Sequence, residues 1–356
     1  MKKKICMIVP SFSAKGGITS VVSGYRGSQL EHDYEVKYIE TYCDGSKLSK
    51  AFIVLKAYFS YIFTLLFWNP SIIHIHSSFG GSFYRKLPFI VLGSWFHKPI
   101  VNHIHGSYYD EFYFNASIRK QRLISKTFNR CSCIVALSEN ARKELARITK
   151  SKIEVIENYG IINEDAVLQR KDKENTFNVL FLGFITKKKG CFDIPDICNI
   201  VKDSIPEIRF TLCGVGDIEE LESNINDKSC FEFPGWIGGK EKDAKLREAD
   251  LFFLPSYSEG MPMSILDAMG YGLPIVATNV GGITKIVKNG QNGFVYEPGD
   301  KKGMADGIVK VLKDDVLRKQ FSEGSIKILN EKYSCQIHYR KISTIYEELC
   351  NDVYSN

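Results

Sequence analysis

Short apolar runs alternate with helical stretches along almost the whole chain of 356 residues. The runs are continuous and rich in β-branched residues, which is typical of parallel strands covered by helices on both faces. The predicted strands are Ile5–Val9, Glu35–Glu40, Ile72–His76, Ile100–His103, Ile134–Leu137, Ile153–Ile156, Asn178–Leu182, Arg209–Cys213, Leu251–Pro255, Pro274–Ala277 and Gly293–Tyr296. They form two series of about 150 residues, which predict two doubly wound α/β domains. The polar stretch 161–176 loses hydrophobic periodicity, so we place the boundary there, with domains at 1–165 and 166–334.

One apolar segment, Ala51–Trp68, has three interpretations. Lys56, Ser60 and Thr64 interrupt it at a spacing of four residues, which predicts a helix with a narrow polar stripe. The segment is barely long enough to span a bilayer, and a lysine near its middle disfavours a span. A buried helix of the α/β domain, a helix on a membrane surface and a true span therefore all remain open.

The charge is distributed unevenly between the two halves of the chain. Residues 1–160 carry 22 Lys and Arg against 11 Asp and Glu, a net of +11, whereas residues 161–356 carry 25 against 30, a net of −5. A basic half indicates an anionic partner such as nucleic acid, lipid headgroups or a phosphorylated substrate, or simply uneven surface charge. The overall composition, 44% hydrophobic and 25% charged, is that of a folded globular protein and excludes disorder.

The cysteines and the first residues bear on the cellular compartment. The chain has ten cysteines, many inside apolar runs, where reduced buried thiols are expected. Cys131 and Cys133 are close together but lack the further ligands of a zinc site, so we predict no metal. The apolar run behind the first three lysines stops at Pro10, too short for a signal peptide, which favours a buried strand in a cytoplasmic protein.

Candidate chemistry follows the ends of the predicted strands, because ligands of open parallel sheets bind there. In the first half these positions hold the Gly16-Gly17 pair and His105. In the second half, three lysines (187–189) precede a helix, where their charge opposes the helix dipole unless an anion binds. Glu259 follows a later strand, and Asp267 lies two helical turns beyond it. A dinucleotide fingerprint and a Walker A sequence do not occur, which disfavours dehydrogenases and P-loop ATPases.

The segment EGMPMSILD resembles the E-x7-E motif of the retaining glycosyltransferases of family 4, which have the GT-B fold. The resemblance covers nearly the whole chain. Its further markers are Gly16-Gly17, His105-Gly106, Ser138-Glu139, Asn158-Tyr159-Gly160, Lys189-Gly190, Gly214-Val215-Gly216-Asp217, Gly235-Trp236-Ile237, Gly281-Gly282 and Asn289-Gly290-Gln291-Asn292-Gly293. It implies two Rossmann-like domains facing a cleft, with a last helix (335–356) that crosses back onto the N-terminal domain.

The resemblance also assigns roles to residues. Lys189 would bind the donor diphosphate, Glu259 the sugar hydroxyls and Asp267 the ribose, while His105 would lie near the transferred sugar and Gly235–Ile237 beside the base. The implied catalytic residues are His105, Glu259 and Lys189. The implied donor-binding residues are Gly16, Gly17, Gly183, Lys188, Gly214, Gly216, Trp236, Ile237, Gly260, Met261, Met263 and Asp267.

Two positions depart from the family pattern. Phe184 stands where the family usually has arginine, and Lys187 or Lys188 would have to supply that charge. The second acid of the motif is Asp267, one methylene shorter than glutamate, which still accepts hydrogen bonds. Neither departure indicates an inactive protein.

The sequence therefore predicts a retaining, metal-independent glycosyltransferase that uses a UDP-sugar, or next a GDP-sugar, in cell-surface polysaccharide synthesis. The acceptor would be a saccharide, free or lipid-linked. A sugar phosphorylase or epimerase of the same fold is the alternative. A nucleic-acid-binding module is disfavoured, because the basic residues alternate with apolar helix instead of forming a dense stripe.

Basic residues near the apolar segment suggest where the enzyme works. We expect it to lie on the inner face of the plasma membrane as a peripheral protein, because each lysine or arginine near an anionic surface adds about 1 kcal/mol. The residues expected to contact lipid headgroups are Lys47, Lys50, Lys56, Arg85, Lys86, Arg119, Lys120, Arg122 and Lys126.

Overall fold

The computed structural model describes residues 2–106, 109–168 and 177–352, which fall into two compact units. The first unit runs to Asn158 and includes the chain from Gln336 onward, and the second runs from Tyr159 to Cys335. Each contains a six-stranded parallel sheet with flanking helices. The predicted fold class is confirmed. Part of the predicted boundary, residues 169–176, lies outside the described residues.

The sheet of the first unit has the strand order β2-β1-β3-β4-β5-β6. Its strands are β1 (Lys4–Val9), β2 (Glu35–Glu40), β3 (Ile72–Ser77), β4 (Ile100–Ile104), β5 (Cys133–Ala136) and β6 (Lys152–Val155). Its helices are α1 (Gly17–Ser23), α2 (Gln29–Asp33), α3 (Lys47–Phe63), α4 (Gly81–Trp95), α5 (Ile118–Phe128) and α6 (Glu139–Ala146), with π-helical turns at Thr64–Trp68 and Asp110–Phe114. Every residue of β3, β4 and β5 is buried, as expected for inner strands of a parallel sheet covered on both faces.

The sheet of the second unit has the order β12-β11-β10-β7-β8-β9. Its strands are β7 (Phe177–Leu182), β8 (Ile208–Cys213), β9 (Phe231–Glu232), β10 (Leu251–Leu254), β11 (Ile275–Thr278) and β12 (Gly293–Tyr296). Its helices are α7 (Glu164–Leu168), α8 (Ile194–Ser204), α9 (Ile218–Ser223), α10 (Gly239–Glu248), α11 (Met263–Gly270), α12 (Ile283–Ile286), α13 (Lys301–Lys313) and α14 (Asp315–Lys332), with 3₁₀ turns at Lys187–Lys189, Cys191–Asp193 and Lys228–Cys230. The pattern missed only β9 among these strands, because two residues are too few to show periodicity.

The last helix, α15 (Cys335–Asp352), packs on the first unit. The hydroxyl of Tyr339 donates to the carbonyl of Gly24 at 2.5 Å, and the ammonium of Lys341 lies 2.7 Å from a carboxylate oxygen of Glu157. The ring of Tyr346 is fully buried in the same unit. The predicted return of the C-terminal helix to the N-terminal domain is confirmed.

Helix α3 packs on the first unit through only one face. That face holds Ala57 and Tyr61, and the Tyr61 hydroxyl donates to the carbonyl of Phe89 at 2.9 Å. The opposite face exposes large apolar side chains, namely Leu48, Phe52, Leu55, Phe59, Ile62 and Phe63, continued by Leu66 and Phe67 in the π-helical turn. The interpretation of this segment as a buried helix therefore does not hold for most of the helix surface.

Among the described residues, Lys47–Trp68 is the one helical stretch long and apolar enough to cross a bilayer by length and composition. Its packed face holds it on the first unit, where α3 contacts β2 and α4.

The predicted set of exposed basic residues needs one correction. Lys86 is only 3% exposed, because α4 turns it toward the interior beside Thr41. The prediction that it faces lipid headgroups is wrong. Arg85 is half-buried, with its guanidinium 4.9 Å from the ring centre of Tyr42.

Candidate active site

In the second unit, the residues at the carboxyl ends of β7 and β10 come together because these strands are neighbours. Lys189 lies in the turn after β7, and Glu259 lies in the loop after β10. The Lys189 ammonium is 2.5 Å from Oε1 of Glu259, and the hydroxyl of Ser256 donates to the same oxygen at 2.8 Å. The Glu259 side chain is 7% exposed and that of Lys189 is 28% exposed. The pair therefore presents its cation to solvent and holds its carboxylate in place.

Glycines allow the backbone around this pair to pack closely. Gly190 has a φ of +69°, and a Cβ there would lie 1.9 Å from the carbonyl oxygen of Pro255. A Cβ on Gly281, where φ is +54°, would lie 1.8 Å from the carbonyl oxygen of Glu259. Any larger residue at either position would push the lysine turn or the glutamate loop away from the other.

The loops after β7 and β8 are also in direct backbone contact. A Cβ on Gly214 would lie 1.8 Å from the carbonyl oxygen of Gly183. The Asp217 N–H donates to the carbonyl of Ile185 at 2.8 Å, across Gly216, whose φ is +143°. These predicted donor-binding glycines thus allow the loops after β7 and β8 to pack backbone against backbone, beside the turn that holds Lys189.

Phe184, which replaces the usual arginine, packs against an aromatic ring. Its ring centre is 5.2 Å from that of Trp236, and the side chain is 41% exposed. Lys187 points to Glu220 at 2.7 Å, on an exposed surface. Lys187 is therefore engaged elsewhere and does not occupy the place of the missing guanidinium. Phe184 and Trp236 together form an aromatic wall, and Ile237 beside them is half-buried.

The predicted ribose ligand Asp267 lies on α11, whose first turn follows Gly260 and Met261 and includes Met263. The Lys242 ammonium is 3.0 Å from Oδ2 of Asp267. Sequence reasoning missed Lys242, because it lies on α10, and a lysine on a polar helix carries no distinguishing signal.

In the first unit, His105 follows β4 and is half-buried. Its Nε2 lies 2.9 Å from Nδ1 of His76, a hydrogen bond in which one ring must donate. Burial lowers the pKa of His105 to about 3 and holds that of His76 well below its usual value, so both rings are neutral. A neutral His105 can donate or accept one further hydrogen bond.

His105 belongs to a buried array of imidazoles. His74 and His76 project from one face of β3, and His103 lies beside His76 on β4. The ring centres of His74 and His76 are 4.4 Å apart, and those of His103 and His105 are 4.2 Å apart. His338 of α15 completes the array at 6.1 Å from His103. Isolated sequence motifs could not reveal this array, which depends on strand register.

Ligand atoms of His74, His76 and His103 lie within 4.8 Å of one another, close enough to suggest a metal site. However, the rings of His74 and His76 are stacked at an interplanar angle of 24°, and those of His76 and His103 are tilted at 32°. A zinc ion lies about 2.0–2.1 Å from each imidazole nitrogen, in the ring plane, and these rings would have to turn to share one. The metal-free site stays a prediction.

Two parts of the chain match models of known protein families. Residues 15–159 match the model of "Glycosyltransferase Family 4", and residues 163–328 match that of "Glycosyl transferases group 1". The 2-deoxystreptamine N-acetyl-D-glucosaminyltransferase of Niallia circulans is 35% identical over 141 residues, 38% of this chain and 36% of that protein. The amylovoran biosynthesis glycosyltransferase AmsK of Erwinia amylovora is 26% identical over 201 residues, 53% and 49% of the two chains. The matches thus span half or less of these two relatives.

Solved structures share the fold over nearly the whole chain. Sucrose-phosphate synthase from Thermosynechococcus elongatus superposes with a TM-score of 0.78 at 17% identity, covering 98% of this chain and 99% of that one. HepE of Anabaena, solved in complex with UDP, gives a TM-score of 0.69 at 19% identity over 97% and 100% of the two chains. At these identities the likeness concerns the fold alone.

Proposed function

We propose that this chain, which belongs to glycosyltransferase family 4 and has the GT-B fold, transfers a sugar from a UDP-sugar with retention of configuration in polysaccharide synthesis. The observation that carries the proposal is the Lys189–Glu259 pair at 2.5 Å, which is surrounded by closely packed glycine backbone. A cation beside a fixed carboxylate suits a donor that carries both phosphates and sugar hydroxyls.

The two side chains would act on different parts of the donor. The Lys189 ammonium would move from Glu259 to the diphosphate and stabilise the negative charge that develops as the bond between the sugar and the phosphate breaks. Glu259 would then accept hydrogen bonds from the sugar hydroxyls and orient the reacting carbon. The acceptor oxygen forms its bond on the face that the phosphate leaves, and its proton passes to the departing phosphate oxygen.

The aromatic wall of Phe184 and Trp236 supports a nucleotide whose base stacks there. The family resemblance favours UDP over GDP, and HepE of Anabaena, similar in fold, was solved with UDP. The experiment is a panel of UDP-, GDP-, ADP- and dTDP-sugars, scored by released nucleotide with and without an added saccharide acceptor.

Acceptor-dependent UDP release, unchanged by EDTA, is the expected result. Sugar 1-phosphate formed from the saccharide and added inorganic phosphate would instead indicate a phosphorylase, and isomerised donor without nucleotide release an epimerase. Activity abolished by EDTA and restored by Mg²⁺ or Mn²⁺ would contradict a metal-free site.

We further propose that the enzyme works on the cytoplasmic face of the plasma membrane, on a lipid-linked acceptor. The exposed apolar face of α3 supports this location, since single exposed apolar residues are normal but a continuous stripe of them marks a contact surface. Helices α3, α4 and α5 contain nine Lys and Arg residues and no Asp or Glu. Such a surface complements an anionic bilayer.

A second copy of this chain fits the same surface poorly. Lys56 borders the apolar stripe near the middle of the helix, so antiparallel pairing of two α3 helices would bring the two Lys56 side chains close without an acidic partner on either helix. In a bilayer, by contrast, a lysine beside the apolar face can extend its ammonium to the headgroups.

Co-sedimentation with vesicles tests this location. Binding to vesicles of phosphatidylcholine and phosphatidylglycerol should be strong at low salt and only partly reduced in 1 M NaCl, because the apolar face adds to the charge. Binding that disappears at high salt would mean that this surface binds the membrane through its charge alone, without insertion of the apolar face. Absence of binding to these vesicles at low salt would contradict the membrane location and favour a soluble acceptor.

A further inference from the structure

A small cavity of about 190 Å³ lies inside the first unit. The loop that contains Lys15, Gly16 and Gly17 forms one wall, and α4 forms another with Arg85 and Lys86. Whole small-molecule ligands usually occupy about 300–1,000 Å³. This cavity therefore has room for one small group of a larger ligand.

The cavity is basic and has no internal counter-charge. Of the described residues that line it, none carries a carboxylate. In the part of the chain that the structure describes, neither Arg85 nor Lys86 forms an ion pair, and the hydrogen bond of Lys86 goes to the neutral hydroxyl of Thr41. The nearby carboxylate of Asp44 accepts a hydrogen bond from the backbone N–H of Lys15 at 2.7 Å. Burial, and next the charge of Arg85, lower the pKa of Lys86 well below its usual value, so an anionic ligand would supply the negative charge that keeps this amine protonated.

Two buried polar atoms on the lining residues also lack partners. They are Nε2 of His76, a residue only 1% exposed, and Nε of Arg85. Buried polar atoms are nearly always hydrogen-bonded in folded proteins. Together with the buried amine of Lys86, they indicate that a polar ligand binds in the cavity and supplies the missing hydrogen-bond partners.

The cavity lies next to His105 and next to helix α3. A lipid-linked substrate would need both a reaction site and an apolar surface. His76 lines it and hydrogen-bonds to His105, the residue expected near the transferred sugar. Tyr42 lines it on another side, and the ammonium of Lys50 from α3 lies 5.5 Å from the ring centre of Tyr42. A group held here would therefore lie between His105 and the apolar helix.

We propose that this cavity binds the phosphate or diphosphate group of a lipid-linked acceptor, with Lys86 and Arg85 as its counter-charges. The assignment rests on the lipid-linked acceptor of the proposed function. The diphosphate of the donor has the same chemistry, so the test must separate these two sources.

The experiment compares the wild-type protein with Lys86→Met by calorimetric titration of farnesyl diphosphate and, separately, of UDP. The variant should bind farnesyl diphosphate at least 10-fold more weakly and UDP unchanged. Its melting temperature should be equal or higher, because the substitution replaces a buried amine that has no charged partner with an apolar side chain of similar length. Farnesyl diphosphate should raise the melting temperature of the wild type and not of the variant.

Lys143→Met is the matched control, because this lysine is exposed on α6 and outside the cavity, and it should bind farnesyl diphosphate like the wild type. Equal binding of farnesyl diphosphate by wild type and Lys86→Met would overturn the proposal. Weakened UDP binding with farnesyl diphosphate binding retained would assign the cavity to the donor and also overturn it. If Lys86→Met does not fold, Arg85→Gln is measured in the same way. These titrations need no turnover, so their outcome is independent of the donor panel.

Discussion

Helices α3 and α14 have nearly the same length, 17 and 18 residues, but they differ in the polarity of the surface that they expose. Helix α14, in the second unit, buries Phe321, Ile328 and Leu329 and exposes one large apolar side chain, Val316. Helix α3, in the first unit, buries Ala57 and Tyr61 and exposes six large apolar side chains. Two sheets of the same topology class thus carry helices adapted to different surroundings. Helix α14 therefore exposes a mainly polar surface, whereas helix α3 exposes an apolar one.

The histidines are divided even more sharply. All seven lie in the first unit, and residues 159–335 contain none. Burial lowers the pKa of His74 to about 3 and that of His338 to about 4. The first unit therefore buries neutral bases that the second unit does not have.

The largest expected difference between the two units is their response to acid, which should destabilise the first unit far more than the second. A histidine in the unfolded chain binds a proton near pH 6.5, whereas these buried rings stay neutral. Below pH 6.5 the unfolded state therefore binds more protons, and the free energy of unfolding falls until the folded pKa is reached, near pH 4 for His338 and near pH 3 for His74. Between pH 7 and pH 5 each ring should cost about 2 kcal/mol.

Urea unfolding at pH 7 and pH 5 can follow each unit separately through tryptophan fluorescence. Trp68 and Trp95 report on the first unit in a Trp236→Phe variant, and Trp236 reports on the second when the other two are replaced. The first unit should lose far more stability than the second. An equal loss in both would show that the histidines do not control acid stability.

Replacing Phe52 and Phe59 by serine should weaken vesicle binding roughly 150-fold, about 3 kcal/mol, because two phenyl rings would no longer enter the bilayer. The control is Val316→Ser, at a residue 79% exposed on α14, which should leave vesicle binding unchanged. A double variant that still binds vesicles like the wild type would remove the functional difference between α3 and α14. Loss of a dimer in solution, without any vesicle binding by the wild type, would assign the face to a second copy.

Glu259→Ala should lower turnover by about 100-fold, or ~2.7 kcal/mol, because the carboxylate orients the reacting sugar. Vesicle binding should be unaffected, which would assign the two activities to different units. Glu241→Gln, an exposed position on α10, is the control. Near-normal turnover in Glu259→Ala would contradict the donor site.

Lys56→Gln should produce the smallest effect, about a 5-fold loss of binding to anionic vesicles at low salt, since one lysine near such a surface adds ~1 kcal/mol. In 1 M NaCl the variant and the wild type should bind equally, because salt screens the charge. A loss that persists at high salt would mean that Lys56 contributes through packing and not through charge.

Part of the active site could be predicted from the sequence because its signals are local. The glycines beside Lys189 and Glu259 mark turns where a Cβ would collide with backbone, and the apolar runs mark the strands that precede them. The contact between the two residues could not be read in this way. They are 70 positions apart and meet because β7 and β10 are adjacent in the sheet, an order that periodicity does not encode.

The sequence by itself determined that α3 is apolar and that its surroundings are basic. It did not determine which side of α3 is covered, since the narrow polar stripe of Lys56, Ser60 and Thr64 leaves most of the helix circumference apolar. Tertiary packing decided that Tyr61 turns inward and Phe59 outward, and that Lys86 leaves the surface for a cavity. The physical reason is that composition and period are properties of one segment, whereas burial depends on which other segments arrive beside it.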